Sequence, residues 1–179
     1  MGMLDSSNSI LVIIDIQEKL VNAALNGEKT VTNAAKISRA AEILNIPTII
    51  TEQYPKGLGQ TIECVKNNNA NIIEKTSFSA FQEEEFKQII NSINKKQIIL
   101  CGIEGHICVL QTALDLKQQG YEVFVLKDCT SSRKDFELNT GLNVMHQYGI
   151  NITCVEIALF QWLKTSKHPH FKEIQKLII

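Results

Sequence analysis

The chain has 179 residues, 18 Lys plus Arg against 19 Asp plus Glu, a formal net charge of -1, and 44% apolar residues. A chain of this length can bury on the order of 70% of its unfolded surface without disulfides or metals, so one domain over residues 1–179 is expected. Charges of both signs are spread along the chain, which excludes the basic footprint of a nucleic-acid binder and gives no polyanion or anionic membrane as partner.

The longest apolar runs, residues 10–14 and 98–101, are far shorter than the roughly 20 residues that span a bilayer. Residues 1–6 lack the basic and apolar regions of a secretory leader. Five cysteines at irregular spacing (64, 101, 108, 129 and 154), without Cys-x-x-Cys, suit neither a disulfide framework nor a structural zinc site. A reducing, cytoplasmic setting is expected.

In chain order, an apolar run at 9–15 is followed by a helical pattern at 29–44, and runs at 47–51 and 71–74 precede a second helical pattern at 81–93. A run at 97–102 then leads to a helical pattern at 108–119, a run at 121–127 to one at 136–148, and a last run covers 151–155. The runs are short, continuous and rich in Ile and Val, as strands buried on both faces are. The alternation predicts an α/β protein, a three-layer α/β/α sandwich around a six-stranded, mainly parallel, Rossmann-like sheet. Ligands of such sheets sit beyond the carboxyl ends of the strands, near a switch in strand order. The residues just past each run are Asp15, Glu52 and Gln53, Lys75, 104–108, and Asp128.

Three of these share a chemistry. Asp15 closes the first run, Lys75 the third, and Cys108 lies where the fourth run hands over to a helix beginning near His106 or Ile107. A cysteine in the first turn of a helix feels the positive end of the helix dipole, and a nearby lysine adds to it. Both effects lower the pKa of a thiol. A carboxylate beside the thiol can take its proton, activating the nucleophile without a histidine. The plain alternatives are a turn or cap for Asp15, a solvated strand-end charge for Lys75, and a small buried apolar residue for Cys108.

The segments Leu11-Val12-Ile13-Ile14-Asp15-Ile16-Gln17, Glu74-Lys75-Thr76-Ser77-Phe78-Ser79-Ala80-Phe81 and Gly102-Ile103-Glu104-Gly105-His106-Ile107-Cys108-Val109 resemble the isochorismatase-like cysteine hydrolases in order and spacing. The likeness runs from about Ser9 to Ala158. With Glu52-Gln53-Tyr54-Pro55-Lys56-Gly57-Leu58-Gly59, it points to the isochorismatase-domain-containing branch, some members of which carry a ribonuclease label. The resemblance implies that Cys108 is the nucleophile, Asp15 the general base that later acts as acid, and Lys75 the cation orienting both. It also implies an oxyanion hole from the backbone N–H groups of Glu104 and Cys108, with a cis peptide at Ile103–Glu104. Members are commonly homo-oligomers, so a homo-oligomer is expected here.

Departures narrow the reaction. Nicotinamidases of this superfamily hold a metal through Asp-x-His and further histidines after the second strand, where this chain has Thr51-Glu52-Gln53-Tyr54 and no histidine before His106. No metal or other cofactor is therefore expected. Members that cleave the isochorismate vinyl ether usually lack the cysteine, so a small amide or related acyl-type substrate, attacked through a thioester, is the expectation. The competing readings are a catalytically idle binding or scaffold protein, a ribonuclease, and a vinyl ether hydrolase.

Further residues are assigned to the substrate pocket: Gln17, Glu52, Gln53, Tyr54, Phe78 and His106. Against this, residues 52–54 also read as a solvated turn, the aromatic rings as core, and His106 as a helix cap. His168-Pro169-His170 reads as a surface turn rather than a metal site. The apolar residues at the C-terminus, Leu177 to Ile179, are expected to dock on the body or on another subunit.

Overall fold

A computed structural model describes residues 2–179. Six strands, β1 (Ser9–Ile14), β2 (Thr48–Gln53), β3 (Ala70–Lys75), β4 (Gln97–Ile103), β5 (Glu122–Ser131) and β6 (Asn151–Thr153), form one sheet in the order β3-β2-β1-β4-β5-β6. Every pairing is parallel. The order reverses between β1 and β4, which opens the crevice where open α/β sheets bind ligands.

The continuous apolar runs follow from this arrangement. Successive side chains of a strand face opposite ways, so a central parallel strand is apolar at most positions on both faces. Leu11 and Ile13 of β1 enter one core with Ile50, Ile99, Phe124 and Trp162, whereas Ile10, Val12 and Ile14 enter the other with Phe86, Leu100, Val109 and Met145. Edge strand β3, by contrast, leaves Asn71 and Ile72 exposed.

Helices α1 (Glu18–Ala23), α2 (Gly27–Ile43), α3 (Pro55–Leu58), α4 (Glu84–Ile93), α5 (Leu110–Gln118), α6 (Asp135–Gln147), α7 (Val155–Leu163) and α8 (Phe171–Gln175) complete the sandwich. The helical patterns expected at 29–44, 81–93, 108–119 and 136–148 correspond to α2, α4, α5 and α6. Helices α1, α3, α7 and α8 are additional. Ile174, Leu177 and Ile178 pack on the chain's own core, while Ile179 is 93% exposed. Among the described residues, no helix is long and apolar enough to cross a membrane.

Strand β5 differs most from expectation. It runs past Lys127 to Ser131, with an irregularity opposite the Leu100 to Gly102 stretch of β4. Asp128 is therefore not at a strand end. Its Oδ1 accepts from the Val155 N–H at 3.0 Å and caps the start of α7. Ser131 and the residues after it occupy the crevice end instead.

Candidate active site

The crevice end of the sheet places each expected residue by strand register. Ile14 pairs with Thr51 and with Gly102, and Gln53 pairs with Lys75, so the ends of β3, β2, β1 and β4 stand side by side. A Cβ on Gly102 would lie 2.0 Å from the Ile14 carbonyl oxygen, so only glycine lets β4 approach β1 this closely. Just past β1, Asp15 adopts a left-handed conformation (φ 50°), which is costly for a residue with a Cβ. The chain leaves the sheet there.

Asp15 is fully buried. Its Oδ1 accepts from the Thr51 hydroxyl at 2.6 Å, and its Oδ2 lies 2.7 Å from Lys75 Nζ. Lys75, from the edge strand, reaches across the end of β2 to make this contact, and its side chain is also fully buried. The ammonium further donates to Gln53 Oε1 at 2.6 Å and to the carbonyls of Ser77 and Phe78 at 3.2 Å each.

Cys108 comes from the other side of the switch. After β4 the chain forms a widened, π-type turn over Gly105–Val109 that runs into α5. Such turns are often found at functional sites. Cys108 lies within it, 6% exposed, and its thiol is close enough to the Asp15 carboxylate to feel its charge. The Ile103–Glu104 peptide is cis, as the resemblance implies.

The electrostatics overturn one expectation. Rather than being lowered, the Cys108 pKa is pushed up to about 12, first by burial and then by the Asp15 charge. Lys75 and the Glu104 backbone N–H act in the opposite direction but do not prevail. Desolvation disfavours the thiolate more than the ammonium and the backbone N–H favour it. Burial likewise raises the Asp15 pKa, against the pull of Lys75, Thr51 and Cys108. At rest the sulfur therefore keeps its proton.

The remaining expected residues divide sharply. Gln17 is fully buried, donating to the carbonyls of Gly59 and Gln53 at 2.6 and 3.0 Å and accepting the Gln53 N–H at 2.7 Å. Its whole amide stitches loops together. Glu52 is also buried, and its Oε1 accepts the Thr61 N–H at 2.7 Å. Gln53 is committed to Lys75 and, through Nε2, to the Thr76 carbonyl at 2.8 Å. Tyr54 and Phe78 project outward, 59% and 56% exposed. Tyr54, Pro55, Lys56, Glu74 and Thr76 border a hollow of about 230 Å³ beside Lys75.

His106 faces α6 rather than the thiol side. A Cβ on Gly141 would lie 2.8 Å from the His106 Cα, so the bare glycine lets α6 close on the turn. His106 Nδ1 is 3.0 Å from the Ser132 hydroxyl and 3.4 Å from Glu104, and Nε2 is 3.8 Å from Glu137. The potential ligand atoms of Glu104, His106 and Glu137 lie within 4.8 Å of one another, a spacing that could hold a metal ion. Positive charge is already supplied there, by Arg133 Nε at 2.8 Å from Glu104 and Lys134 Nζ at 3.7 Å from Glu137. The group is an ion-pair cluster bracing the turn that carries Cys108.

Thr51, Ser132 and Arg133 were not singled out from sequence. Thr51 carried a weak signal, a hydroxyl ending an otherwise apolar run, whereas Ser132 and Arg133 were hidden by the early end assigned to β5.

Comparison with known proteins adds the family context. The isochorismatase domain pattern matches residues 9–157. The chain is 40% identical over 177 residues to isochorismatase domain-containing protein 2 of Danio rerio, covering 99% of this chain and 90% of that protein. Among solved structures, the MAR1 ribonuclease from Caenorhabditis elegans superposes with a TM-score of 0.94 at 38% identity, covering 99% of this chain and 92% of that one. The YcaC gene product of Escherichia coli, described as an octameric hydrolase of unknown specificity, shares the fold at a TM-score of 0.90 and 21% identity, over 99% of this chain and 95% of that one.

Proposed function

The chain belongs to the isochorismatase domain family, and from that membership we propose that it is a cysteine hydrolase acting on a small amide or related acyl compound through Cys108, Asp15 and Lys75. One observation carries the reading: a buried carboxylate just past β1 meets the Lys75 ammonium at 2.7 Å on one side and acts by its charge on the buried Cys108 thiol on the other.

The raised thiol pKa shapes the chemistry. Cys108 attacks as its proton passes to Asp15, rather than as a preformed thiolate. The C–S bond forms, the carbonyl π electrons move to oxygen, and backbone N–H groups of Glu104 and Cys108 hold the oxyanion. Collapse expels the amine, which takes the proton from Asp15. Water then attacks the thioester, Asp15 accepts its proton, and the carboxylic acid leaves as Cys108 regains a proton. Lys75, 2.7 Å from Asp15, keeps the carboxyl group aligned. Tyr54 and Phe78, exposed near Lys75, are the apolar groups that this reading assigns to the substrate.

All five cysteines carry free thiols, in keeping with a cytoplasmic home, and the octameric E. coli relative in fold supports a homo-oligomer here. A second reading, ribonuclease, comes from the name of the C. elegans structure. The net charge of -1, with both signs spread along the chain, weighs against it.

The test is a panel of small acyl amides and anilides, followed by amine release and by intact-protein mass. The expected result is turnover with a transient acyl adduct on Cys108, both abolished in Cys108→Ala. Absence of any adduct or turnover, together with RNA cleavage that survives Cys108→Ala, would overturn the proposal.

A further inference from the structure

We propose that Gln53 is a positioning residue whose amide oxygen, as a neutral acceptor, holds the Lys75 ammonium against Asp15 and leaves its charge for the Asp15–Cys108 pair. This rests on the reading of Cys108, Asp15 and Lys75 given above and deepens it.

The geometry leaves Gln53 little freedom. Register places it directly beside Lys75, on the strand that Lys75 must cross to reach β1. An ammonium has three protons. Lys75 Nζ has four acceptors: Gln53 Oε1 at 2.6 Å, Asp15 Oδ2 at 2.7 Å, and two carbonyls at 3.2 Å. The two short contacts direct the charge, and the amide oxygen is the shorter. Because Nε2 donates to the Thr76 carbonyl at 2.8 Å, the amide cannot turn its oxygen away without opposing two donors or two acceptors. The backbone of Gln53 is gripped in turn by the fully buried Gln17, through its N–H at 2.7 Å and its carbonyl at 3.0 Å. One hydrogen-bonded line, Gln17–Gln53–Lys75–Asp15, thus ties the ends of β1, β2 and β3.

Neutrality is the second half of the argument. A carboxylate at position 53 would share the ammonium with Asp15 and add a second negative charge near a thiol that must lose its proton. The other charged groups around Lys75 are engaged elsewhere. Glu83 accepts the N–H groups of Thr76 and Ser77 at 3.0 and 2.9 Å, Glu52 accepts that of Thr61, and Glu74 borders the outer hollow. Asp15 is the carboxylate in contact with Lys75 Nζ among the described residues.

The experiment is the rate of Cys108 alkylation by iodoacetamide against pH, read by peptide mass spectrometry in the wild type and in Gln53→Glu, Gln53→Met, Asp15→Asn and Lys75→Met, with thermal melts of each. In the wild type the rate rises as the carboxyl–thiol pair loses its first proton. Gln53→Glu, nearly isosteric, should move that rise to higher pH by about one unit, an approximately tenfold slower reaction on the acid side. Gln53→Met should slow labelling without moving the melt by more than a few degrees. A structural role alone would shift melts and leave the pH position alone. If Gln53→Glu follows the wild-type profile while Asp15→Asn and Lys75→Met change it, the role of Gln53 is refuted and the three-residue reading stands. If Asp15→Asn and Lys75→Met also follow the wild-type profile, both fall. Should Gln53→Met fail to fold, Gln53→Glu decides alone.

Discussion

Two Asp–Lys pairs of the same length teach different lessons about charge in this protein. Asp5 and Lys164 meet at 2.7 Å on the surface, each side chain more than a third exposed, whereas Asp15 and Lys75 meet at 2.7 Å with both side chains fully buried. The hydrogen bond from Lys164, with help from Ser7, lowers the Asp5 carboxyl to about 2. Burial raises that of Asp15 in spite of an equally close ammonium. At equal distance, the solvent decides the sign: water screens and stabilises one pair, while its removal makes the other reluctant to ionise. The surface pair ties the N-terminal segment to the end of α7, and the buried pair is, in the proposed mechanism, the proton acceptor beside a thiol.

The largest effect should come from breaking the chemical role of the buried pair. Asp15→Asn keeps the shape of the side chain but cannot accept the Cys108 proton, so amide turnover should fall roughly 10²- to 10⁴-fold. Steady-state kinetics on any active member of the amide panel measures it, and an unchanged kcat would remove Asp15 from the mechanism.

Next is stability. Lys75→Met leaves the Asp15 carboxylate buried without its cation and should cost about 3–5 kcal/mol in urea unfolding at neutral pH. The double variant Asp15→Asn with Lys75→Met should recover most of that loss. A double variant as unstable as Lys75→Met would mean that lost packing, not an uncompensated charge, causes the damage.

The two pairs should also respond to pH in opposite directions. Asp15, raised in the folded state, favours folding below its unfolded value of 3.8, and that contribution is lost as pH climbs through the folded value. Cys108 behaves alike at the alkaline end, its contribution lost between 9.0 and about 12. Removing the thiol in Cys108→Ala should therefore flatten the stability curve above pH 9 by on the order of a few kcal/mol. An alkaline slope identical to that of the wild type would show that the thiol ionises as freely folded as unfolded.

The smallest effect belongs to the surface. Asp5 adds stability above its unfolded 3.8 that is lost as pH falls toward about 2. With both partners largely solvated, Asp5→Asn should cost no more than about 1 kcal/mol at low salt and less at high salt. Chemical denaturation at two ionic strengths checks this. A loss as large as that of Lys75→Met would erase the contrast.

Much of the architecture was legible in the chain because its signals are local. A strand buried on both faces is apolar along most of its length, so 10–14 and 98–101 announced β1 and β4 directly. Asp15, Lys75 and Cys108 stood out as reactive types just past such runs. Less legible was α7, whose inward residues Val155, Ala158, Leu159, Trp162 and Leu163 follow helical spacing. Its outer face also carries Ile157 and Phe160, 49% and 43% exposed, which blurs the polar stripe that would have marked a surface helix. The end of β5 was misplaced because Lys127 and Asp128 interrupt the apolar pattern where the strand bulges, and with it went Ser132 and Arg133.

By itself, then, the sequence determined the alternation of strands and helices, the parallel sheet and the three candidate side chains, since each depends on residue type and near-neighbour spacing. Only the tertiary structure decided what those side chains do to one another. Strand order put Gln53 between Lys75 and Asp15, and burial reversed the expected direction of the Cys108 pKa. Desolvation and hydrogen-bond partnership depend on what surrounds a group in space, which residues distant along the chain supply.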